Sequence, residues 1–415
     1  MVAADPAPCR RGGDGVGSPI RVVVEPTVDR ERPAVRWRAL ERRADGSFFV
    51  SWSWIGTWLR TVDVPVSLAA AHADGRCVGL ALLAHRRVVA RHLVPTGTLF
   101  LHETGDPARD VVTVEYNDVL AERGRAEAVR AALLARLLEA GRIGGRRYDV
   151  VVWRGAVGAL TGTLDALGLR WRSLDRTASA RVDLAAHRAL GKPYLDGVSA
   201  NTRRQIRRAR ALYADRGPLR LDTATTVPEA LHWFRAATEL NRRRRHQLGE
   251  RAAADHPFYV AFHEDLIARG LPARVVELVR VRAGETPIGY LYNFVHRRHV
   301  YFYTSGFAFE ADDRLKPGLV AHAACIERHL AGEAEVYDFM AGDECYKLSL
   351  GRPGPDIIDV AIERPRLHLR VEAAMRHLER GLAERRRPAP AAPITPATTA
   401  PDPASGRGGA PRRSA

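Results

Sequence analysis

Acidic, tyrosine and lysine side chains crowd into one short stretch of the sequence, DFMAGDECYKLSLG. Its side chains that could move protons or hold charge are Asp338, Asp343, Glu344, Tyr346 and Lys347. A carboxylate near a strand end can take a proton from an attacking amine or hydroxyl, and a tyrosine can return one to a leaving group. An exposed polar loop is the equally weighted structural interpretation, because many charged loops do no chemistry.

The tripeptide Lys-Pro-Gly at residues 316–318 opens a predicted helix and forms a second candidate site. Proline is favoured in a first helical turn, where its missing N–H would be unpaired in any case. The free N–H groups and the dipole of a helix start bind anions such as pyrophosphate, and Gly318 would let a ligand approach the backbone. Arg314 and Lys316 add positive charge. On these residues alone a plain helix start is the favoured interpretation.

A basic helix is predicted for the stretch SANTRRQIRRARALYADR, with a serine or asparagine as its cap. Arg203, Arg207 and Arg210 lie on one stripe of that helix, at i, i+4 and i+7. The stripe could hold a phosphate backbone or a phosphorylated acceptor, whereas a solvated helix between two domains is the simpler interpretation. A second basic run, which ends at His246, has the same ambiguity.

The sequence around these candidates predicts the same order of elements twice, from the period of its apolar residues. In the second half, three antiparallel strands, a helix and a further strand are expected over 274–282, 288–294, 300–304, 319–330 and 335–340. The first half repeats this order more loosely over 64–71, 77–84, 99–103, 126–140 and 148–153. We therefore predict a structural repeat.

Length and composition restrict the class of protein. The 415 residues predict two to three domains of about 150 residues each, and 46% hydrophobic residues argue against wholesale disorder. No stretch approaches the ~18 consecutive apolar residues of a spanning helix, and the first twenty residues lack the apolar core of a secretory signal. Four separated cysteines argue against a disulfide scaffold or zinc ribbon. We therefore expect a soluble, cytoplasmic protein.

The net charge of +16 favours anionic partners such as phosphates, nucleic acid or acidic lipid, although a solvated basic surface is the simpler interpretation. Only three of the 64 Lys+Arg residues are lysines, and two of them, Lys316 and Lys347, fall in the candidate sites. That placement indicates a need for a compact ammonium group. The sequence has no HExxH, GxxxxGK[ST], strand-linked GxGxxG or GxSxG motif, which argues against a metal site, a nucleotide loop and an α/β-hydrolase.

Several blocks of the sequence resemble, in the same order, the CelD/BcsL type of the GNAT N-acetyltransferase superfamily, whose core is called a BioF2-like acetyltransferase domain. The blocks are SFFVSWSWIGTWLR, EYNDVL, RRYDVVVWRG, NTRRQIRRARAL and, most specific, YTSGFAFEADDRLKPGLVAHAACIERHLAGEAEVYDFMAGDECYK. They cover roughly residues 45–365. Two positions depart from the family pattern. Lys316 replaces a usual serine beside the expected phosphates, and Leu348-Ser349-Leu350 replace a common aromatic at the expected acceptor wall.

The resemblance implies an α/β (α+β) fold of two tandem GNAT-like units, mixed central sheets flanked by helices, similar to the Fem-type aminoacyl transferases. In GNAT folds two neighbouring parallel strands splay apart and admit the acyl thioester. That gap is expected between Val300–Thr304 and Glu335–Met340. The expected segments are a disordered N-terminus over 1–33, a non-catalytic GNAT-like domain over 34–190, a BioF2-like acyltransferase domain over 191–385 and a disordered Pro/Ala-rich tail over 386–415.

The candidate sites and the resemblance together predict three sets of residues and no metal ligands. The catalytic set, with either acidic residue as the base and the tyrosine as acid or acceptor contact, is Asp343, Glu344, Tyr346 and Lys347. The donor-binding set is Tyr303, Ser305, Arg314, Lys316, Pro317 and Gly318. The acceptor-binding set is Arg203, Arg207, His246 and Asp338.

The resemblance implies an acyltransferase that moves an acyl group, acetyl or longer, from acyl-CoA to an amine or hydroxyl. The expected acceptor is a small molecule or glycan, for example an amino sugar of an envelope or exopolysaccharide, without a stable nucleic-acid partner. Two alternatives stay open. One is an aminoacyl-tRNA donor, as in Fem-type enzymes, and the other is a non-catalytic module that binds polysaccharide or nucleic acid through the basic helix.

Overall fold

Two mixed β-sheets with helices on their faces form the computed structural model of the chain, which describes residues 19–26, 30–90, 94–342 and 344–385. The chain up to Arg366 is one unit, and a second unit begins at Leu367. The second unit contains helix α11 (Leu367–Arg385).

The first half of the chain places two helices among the early strands. Asp74 and Gly75 both have positive φ, 51° and 71°, the backbone of a tight hairpin turn. Ser51 caps the second helix by accepting a hydrogen bond from the Trp54 N–H. The elements are β1 (Arg21–Pro26), α1 (Arg32–Glu41), a 3₁₀ turn (Phe48–Val50), α2 (Trp52–Thr61), β2 (Val66–Ala73), β3 (Arg76–Ala90), β4 (Val94–Leu101), β5 (Leu120–Ala121), α3 (Ala126–Ala140), β6 (Arg142–Ile143), β7 (Arg146–Arg147), β8 (Val150–Val157), α4 (Ala159–Ala166) and β9 (Trp171–Thr177).

The second half contains the basic helix and the predicted strand–helix–strand unit. Ser199 caps the basic helix by accepting from the Thr202 N–H at 3.1 Å. The elements are β10 (Ser179–Asp183), α5 (Leu184–Ala189), a 3₁₀ turn (Tyr194–Gly197), α6 (Ala200–Ala214), β11 (Leu219–Thr223), α7 (Val227–Gln247), a 3₁₀ turn (Ala253–Asp255), α8 (Pro257–Gly270), β12 (Val276–Ala283), β13 (Thr286–His296), β14 (His299–Phe307), α9 (Pro317–Ala331), β15 (Val336–Ala341), α10 (Cys345–Leu350), β16 (Arg352–Pro353) and β17 (Ile357–Glu363).

The two sheets repeat one topology. The first has the order β1-β2-β3-β4-β8-β17-β9, and the second has the order β11-β12-β13-β14-β15-β10-β16. In each sheet three consecutive strands run antiparallel, and the fourth, reached through a helix, lies parallel to the third. The predicted repeat and the predicted fold class, two tandem GNAT-like units of mixed sheet and flanking helices, are confirmed.

Sheet membership crosses the domain boundary that the sequence suggests at residue 190. β10 precedes that boundary but pairs with β15 in the second sheet. β17 follows the second unit's strands but pairs with β8 and β9 in the first sheet. The two GNAT-like units therefore exchange a strand at the end of each repeat, and the sequence division at 190/191 stays a prediction for the domain boundary.

The predicted disorder over residues 1–33 is wrong for β1, whose six residues pair with β2 in an antiparallel register. Alternating burial along RVVVEP fits an edge strand, and the short apolar run between charged residues hides this strand in the sequence. Residues 1–18 and the predicted tail over 386–415 lie outside the described residues, as does Cys9.

One large aromatic cluster joins the faces of the two sheets. Phe48, from the tryptophan- and phenylalanine-rich block near the front of the sequence, stacks on Phe294 of β13 with ring centroids 4.3 Å apart. Trp54 of α2 meets Phe262 of α8 edge to face at 4.8 Å. Such pairs add ~1 kcal/mol each beyond the area they bury. This block of the sequence is therefore part of the core, and it packs the two sheets against each other.

A buried ion pair connects α9 to β12. The His329 Nε2 atom lies 3.1 Å from the Glu277 carboxylate, which also pairs with Arg328. Burial alone would raise the pKa of Glu277, but the hydrogen bond from His329 and the positive charges of both partners outweigh it and lower that pKa to about 2. Burial would lower the pKa of His329, but its bonds to Cys325 and Glu277 raise it to about 9.

We expect His329→Gln to destabilise the protein by roughly 3 kcal/mol at pH 6, the lower end for breaking a buried pair. Because the folded pKa of His329 is raised, its contribution is complete below about pH 6.5 and is lost as the pH rises through 9. Urea unfolding of wild type and variant at pH 6 and pH 10 measures the difference, which should shrink at pH 10. His232→Gln, at an exposed position, is the control, and an equal loss at both pH values would contradict the account.

Candidate active site

The parallel strands β14 and β15 separate after three residue pairs. His299–Tyr301 pair with Val336–Asp338, and within the described residues the rest of β14 has no partner in β15. Each strand carries a bulge where the separation begins. Tyr303 is the extra residue of β14 opposite β13, and the register of β15 against β10 shifts around Met340, whose φ is 59°. Bulges bend and twist a strand, so they turn the two strands apart, and the predicted gap is confirmed.

A cavity of about 670 Å³ lies in this gap, within the ~300–1,000 Å³ common for small-molecule sites. Its walls come from β14 and β15, the starts of α9 and α10, and the end of α7. The loop between β4 and β5 of the first sheet completes them. The lining residues are Glu115, Asn241, Arg244, Arg245, Leu248, Glu250, Phe302, Tyr303, Thr304, Ser305, Phe307, Phe309, Lys316, Gly318, Leu319, Phe339, Met340, Ala341, Glu344, Tyr346 and Lys347.

The start of α9 points unpaired donors at this cavity. Lys316 adopts the left-handed conformation, φ 46° and ψ 56°, and Pro317 opens the helix. The N–H groups of Gly318 and Leu319 have no acceptor among the described residues, and both residues line the cavity. A Cβ at Gly318 would lie 3.2 Å from the ring of Phe307, which also lines the cavity, so a larger residue at this position would crowd the cavity wall. A helix start with free N–H groups favours anions, so the predicted anion-binding role of this segment stays a prediction.

Glu115 is the site residue that sequence analysis missed. Its carboxylate accepts a 2.7 Å hydrogen bond from the Ala341 N–H. Burial raises the pKa of Glu115 to about 7, although that hydrogen bond and the charge of Lys347 work in the opposite direction, and the nearby Asp338 and Glu344 raise it further. A carboxylate with a pKa near 7 suits a general base. The one sequence signal for it was that the matching block EYNDVL begins with this acid.

Lys347 is the buried cation of the cavity, 4% exposed. Its ammonium donates to the Ala341 carbonyl and pairs with Glu344 at 3.0 Å. Gly342 has a φ of 132°, and a Cβ there would lie 2.2 Å from both the Lys347 Nζ and the Glu344 carboxylate, so the turn requires glycine. The backbone of Ala341 therefore holds a carboxylate through its N–H and an ammonium through its carbonyl.

Tyr346 forms an aromatic wall with His322 of α9, their ring centroids 5.4 Å apart and nearly parallel. Burial raises the pKa of Tyr346, so its hydroxyl keeps its proton at neutral pH. His322 is fully buried, and burial together with the charge of Lys347 lowers its pKa to about 3, which leaves the imidazole neutral. The His322 Nδ1 lies 3.2 Å from the Tyr337 hydroxyl. The Tyr346 ring is held by its neighbours, and its hydroxyl carries a proton at the cavity wall.

Asp338 does not line the cavity but organises the strand behind it. The Tyr116 hydroxyl donates to it at 2.9 Å and the Met340 N–H at 2.7 Å, and the His299 Nε2 lies 3.0 Å away. These bonds fix the bulge of β15 and tie the loop of Glu115 to that strand. The predicted acceptor role of Asp338 stays a prediction.

The structure brings most of the predicted donor and catalytic residues to one cavity. Those that line it are Tyr303, Ser305, Lys316, Gly318, Glu344, Tyr346 and Lys347. Arg314 is exposed and pairs with Asp312 at 2.6 Å, away from the lining. Pro317 is buried within the helix start. Asp343 lies outside the described residues.

The structure does not bring the predicted basic acceptor residues to the cavity. Arg203 and His246 each pair with an aspartate, at 3.1 and 3.0 Å, and Arg207 is exposed on α6. Two arginines that sequence analysis treated only as part of a basic run, Arg244 and Arg245, do line it.

The corresponding strand ends of the first sheet are bridged by Asn117. β4 and β8 also pair over three residues, but the Asn117 amide donates to the Leu101 carbonyl at 3.1 Å and to the Arg154 carbonyl at 2.9 Å. Its backbone N–H donates to the Gly155 carbonyl at 2.8 Å. The loop that closes the first gap is the loop that carries Glu115 to the second.

Comparison with known families and structures agrees with this geometry. Residues 200–348 match the family model of the acetyltransferase (GNAT) domain. The match covers α6 to α10 and so includes β14, β15, the start of α9 and Lys347. None of the curated proteins compared matches the chain.

Solved structures are similar to the chain at low sequence identity. FemX has a TM-score of 0.54 and 11% identity, over 79% of this chain and 95% of its own. The C-terminal domain of a putative lysylphosphatidylglycerol synthetase from Agrobacterium fabrum has a TM-score of 0.49 and 11% identity, over 85% and 97%. A tandem GNAT protein from the clavulanic acid biosynthesis pathway has a TM-score of 0.44 and 16% identity, over 83% and 98%. Within the described residues, no helix is long and apolar enough to cross a membrane.

We expect the pKa of the Glu115 carboxyl to lie near 7 in the ligand-free protein, because burial disfavours its charged form more than the Ala341 N–H and the charge of Lys347 favour it. Carbon-13 NMR of side-chain carboxyls measures this value, with Glu115→Gln to assign the resonance. Glu344, half exposed in the same cavity, provides the matched comparison. A Glu115 midpoint near 4.5 would show that water reaches its carboxyl and would remove it as a base at neutral pH.

Proposed function

We propose that the protein is an acyltransferase that moves an acyl group from acyl-CoA to an amine or hydroxyl of an acceptor. The observation that carries this proposal is the cavity between the separated strands β14 and β15, with free N–H groups of α9 at one end. The match of residues 200–348 to the GNAT domain supports the same reaction class. Membership of the CelD/BcsL type, with its BioF2-like domain, stays part of this proposal.

The residues present fit an acyl-CoA co-substrate. The Gly318 and Leu319 N–H groups and the Lys316 ammonium would hold the diphosphate, since a helix start favours anions. Tyr303 and Ser305 of β14 would line the pantetheine path. The thioester supplies an activated carbonyl, and a backbone N–H of β14 on the side of the gap would stabilise the developing oxyanion.

Proton transfer would use side chains at the Ala341 end of the cavity. Glu115 is the better placed base, because its carboxylate is buried and held by the Ala341 N–H, whereas Glu344 is half exposed and paired with Lys347. The base would take the proton from the attacking amine or hydroxyl as the new bond to the acyl carbon forms. Tyr346 would donate its proton to the departing thiolate. Asp343 and Glu344 stay in the proposal as alternative bases.

An aminoacyl-tRNA donor is the second candidate, favoured by the fold shared with FemX. Affinity for tRNA that falls steeply with salt would support it, because each phosphate contact releases counterions. The acyl-CoA donor is preferred, since the α9 start with its free N–H groups and the gap between β14 and β15 lie in one cavity. The acceptor proposed is a small molecule or glycan, for instance an amino sugar.

We expect acetyl-CoA or a longer acyl-CoA at 100 times its Kd to stabilise the fold by ~2.7 kcal/mol. Gly318→Val should abolish this stabilisation, since even its Cβ would lie 3.2 Å from the Phe307 ring and its branched side chain would disturb the helix start whose N–H groups line the cavity. Thermal unfolding with CoA, acetyl-CoA and longer acyl-CoAs measures both. Gly162→Ala, in open space on α4, is the control. Equal stabilisation of wild type and Gly318→Val would place the donor elsewhere.

We expect Glu115→Gln to lower kcat by roughly 10²-fold or more, the usual contribution of a general base. In wild type kcat/KM should rise as the pH passes through about 7, where Glu115 loses its proton, and this rise should disappear in the variant. CoA release from acetyl-CoA with an amine acceptor measures the rate. Glu344→Gln is the matched variant, and a larger loss there than at Glu115 would reassign the base.

A further inference from the structure

A second groove adjoins the active-site cavity on the side away from the α9 start. Its volume is about 460 Å³, enough for a small-molecule ligand. The groove and the cavity share five lining residues, Glu115, Asn241, Arg245, Tyr303 and Thr304. Lys316, Gly318 and Leu319, the proposed diphosphate site, line the cavity and not the groove. The proposed donor therefore leaves the groove free.

The position of Glu115 connects the groove to the proposed reaction. This carboxylate lies on the wall common to both spaces, so a ligand in the groove would meet a donor in the cavity at the proposed base. Acyl transfer requires the two reactants to be held together in this way, because orientation supplies much of the rate. Tyr303, at the bulge of β14, forms part of the same wall.

The rim of the groove is basic. Arg251 is exposed, and its guanidinium has no hydrogen-bond or ion-pair partner among the residues that the structure describes. Among the described residues Arg245 forms one ion pair, with Glu250 at 2.5 Å, and both side chains are about half exposed. Such a pair contributes ~1 kcal/mol or less, so an anionic ligand can replace Glu250 as the partner of Arg245. His256 adds an imidazole to the lining. Glu115 is the only acidic residue among the described lining residues of the groove.

We propose that this groove binds the acyl acceptor, and that the acceptor carries an oxyanion group, phosphate or carboxylate, held by Arg251 and Arg245. This inference rests on the proposed acyl transfer and names the substrate class of the same site. A guanidinium binds either oxyanion through two parallel N–H donors. The anion anchors the acceptor at the rim, and its amine or hydroxyl reaches the Glu115 carboxylate at the wall.

Anion binding to CoA-saturated protein tests the inference, because CoA fills the diphosphate site at α9. Isothermal titration uses two probes, inorganic pyrophosphate for a phosphate acceptor and malonate for a carboxylate acceptor. At least one probe should bind, and Arg251→Gln should weaken it roughly tenfold or more, as loss of a charged hydrogen bond predicts. Arg220→Gln, at an exposed arginine of β11, should leave probe binding unchanged.

Two results would overturn the inference: neither probe binds the CoA-saturated protein, or Arg251→Gln binds both as well as wild type does. Titration of CoA alone separates this failure from failure of the proposed function, since CoA should bind Arg251→Gln with wild-type affinity. If CoA itself does not bind, the same probes are titrated onto the ligand-free protein. Sensitivity to Arg251→Gln but not to Lys316→Ala then supports the groove, and the reverse rejects it.

Discussion

The separation of two neighbouring parallel strands is the constraint on which the site depends. A parallel pair normally forms a continuous ladder, and burying unpaired backbone groups is costly. Here β14 and β15 pair only over three residues and then carry bulges at Tyr303 and Met340. Asp338 accepts the N–H that the second bulge exposes, and Glu115 accepts the next one, from Ala341. The gap is thus maintained by two carboxylates, one of which, Glu115, is also the proposed base.

The first GNAT-like unit contributes to the site through the loop that closes its own gap. Asn117 bridges the ends of β4 and β8, and this anchoring leaves Tyr116 and Glu115 projecting toward β15. The aromatic cluster around Phe48 and Phe294 holds the two sheets in this relation. One repeat of the fold in this way supplies a loop to the candidate site of the other.

Much of the fold could be predicted, because short patterns of neighbouring residues determine many of its helices and strands. Alternating residues in β13, the Lys316-Pro317-Gly318 helix start and the Ser199 cap each determine an element without long-range information. The strand exchange of β10 and β17, the edge strand β1 and the role of Glu115 depend on contacts between residues up to 226 positions apart. Single-sequence periodicity carries no information about such contacts. The same limit explains why Arg203 and His246 were expected at a site that Arg244 and Arg245 line instead.

A crystal structure of the protein with bound CoA tests the central claim most directly. The account predicts the diphosphate within hydrogen-bond distance of the Gly318 and Leu319 amides, and the pantetheine arm between β14 and β15 with its sulfur near Glu115. CoA bound outside this gap, or strands β14 and β15 paired along their full length in the complex, would contradict it.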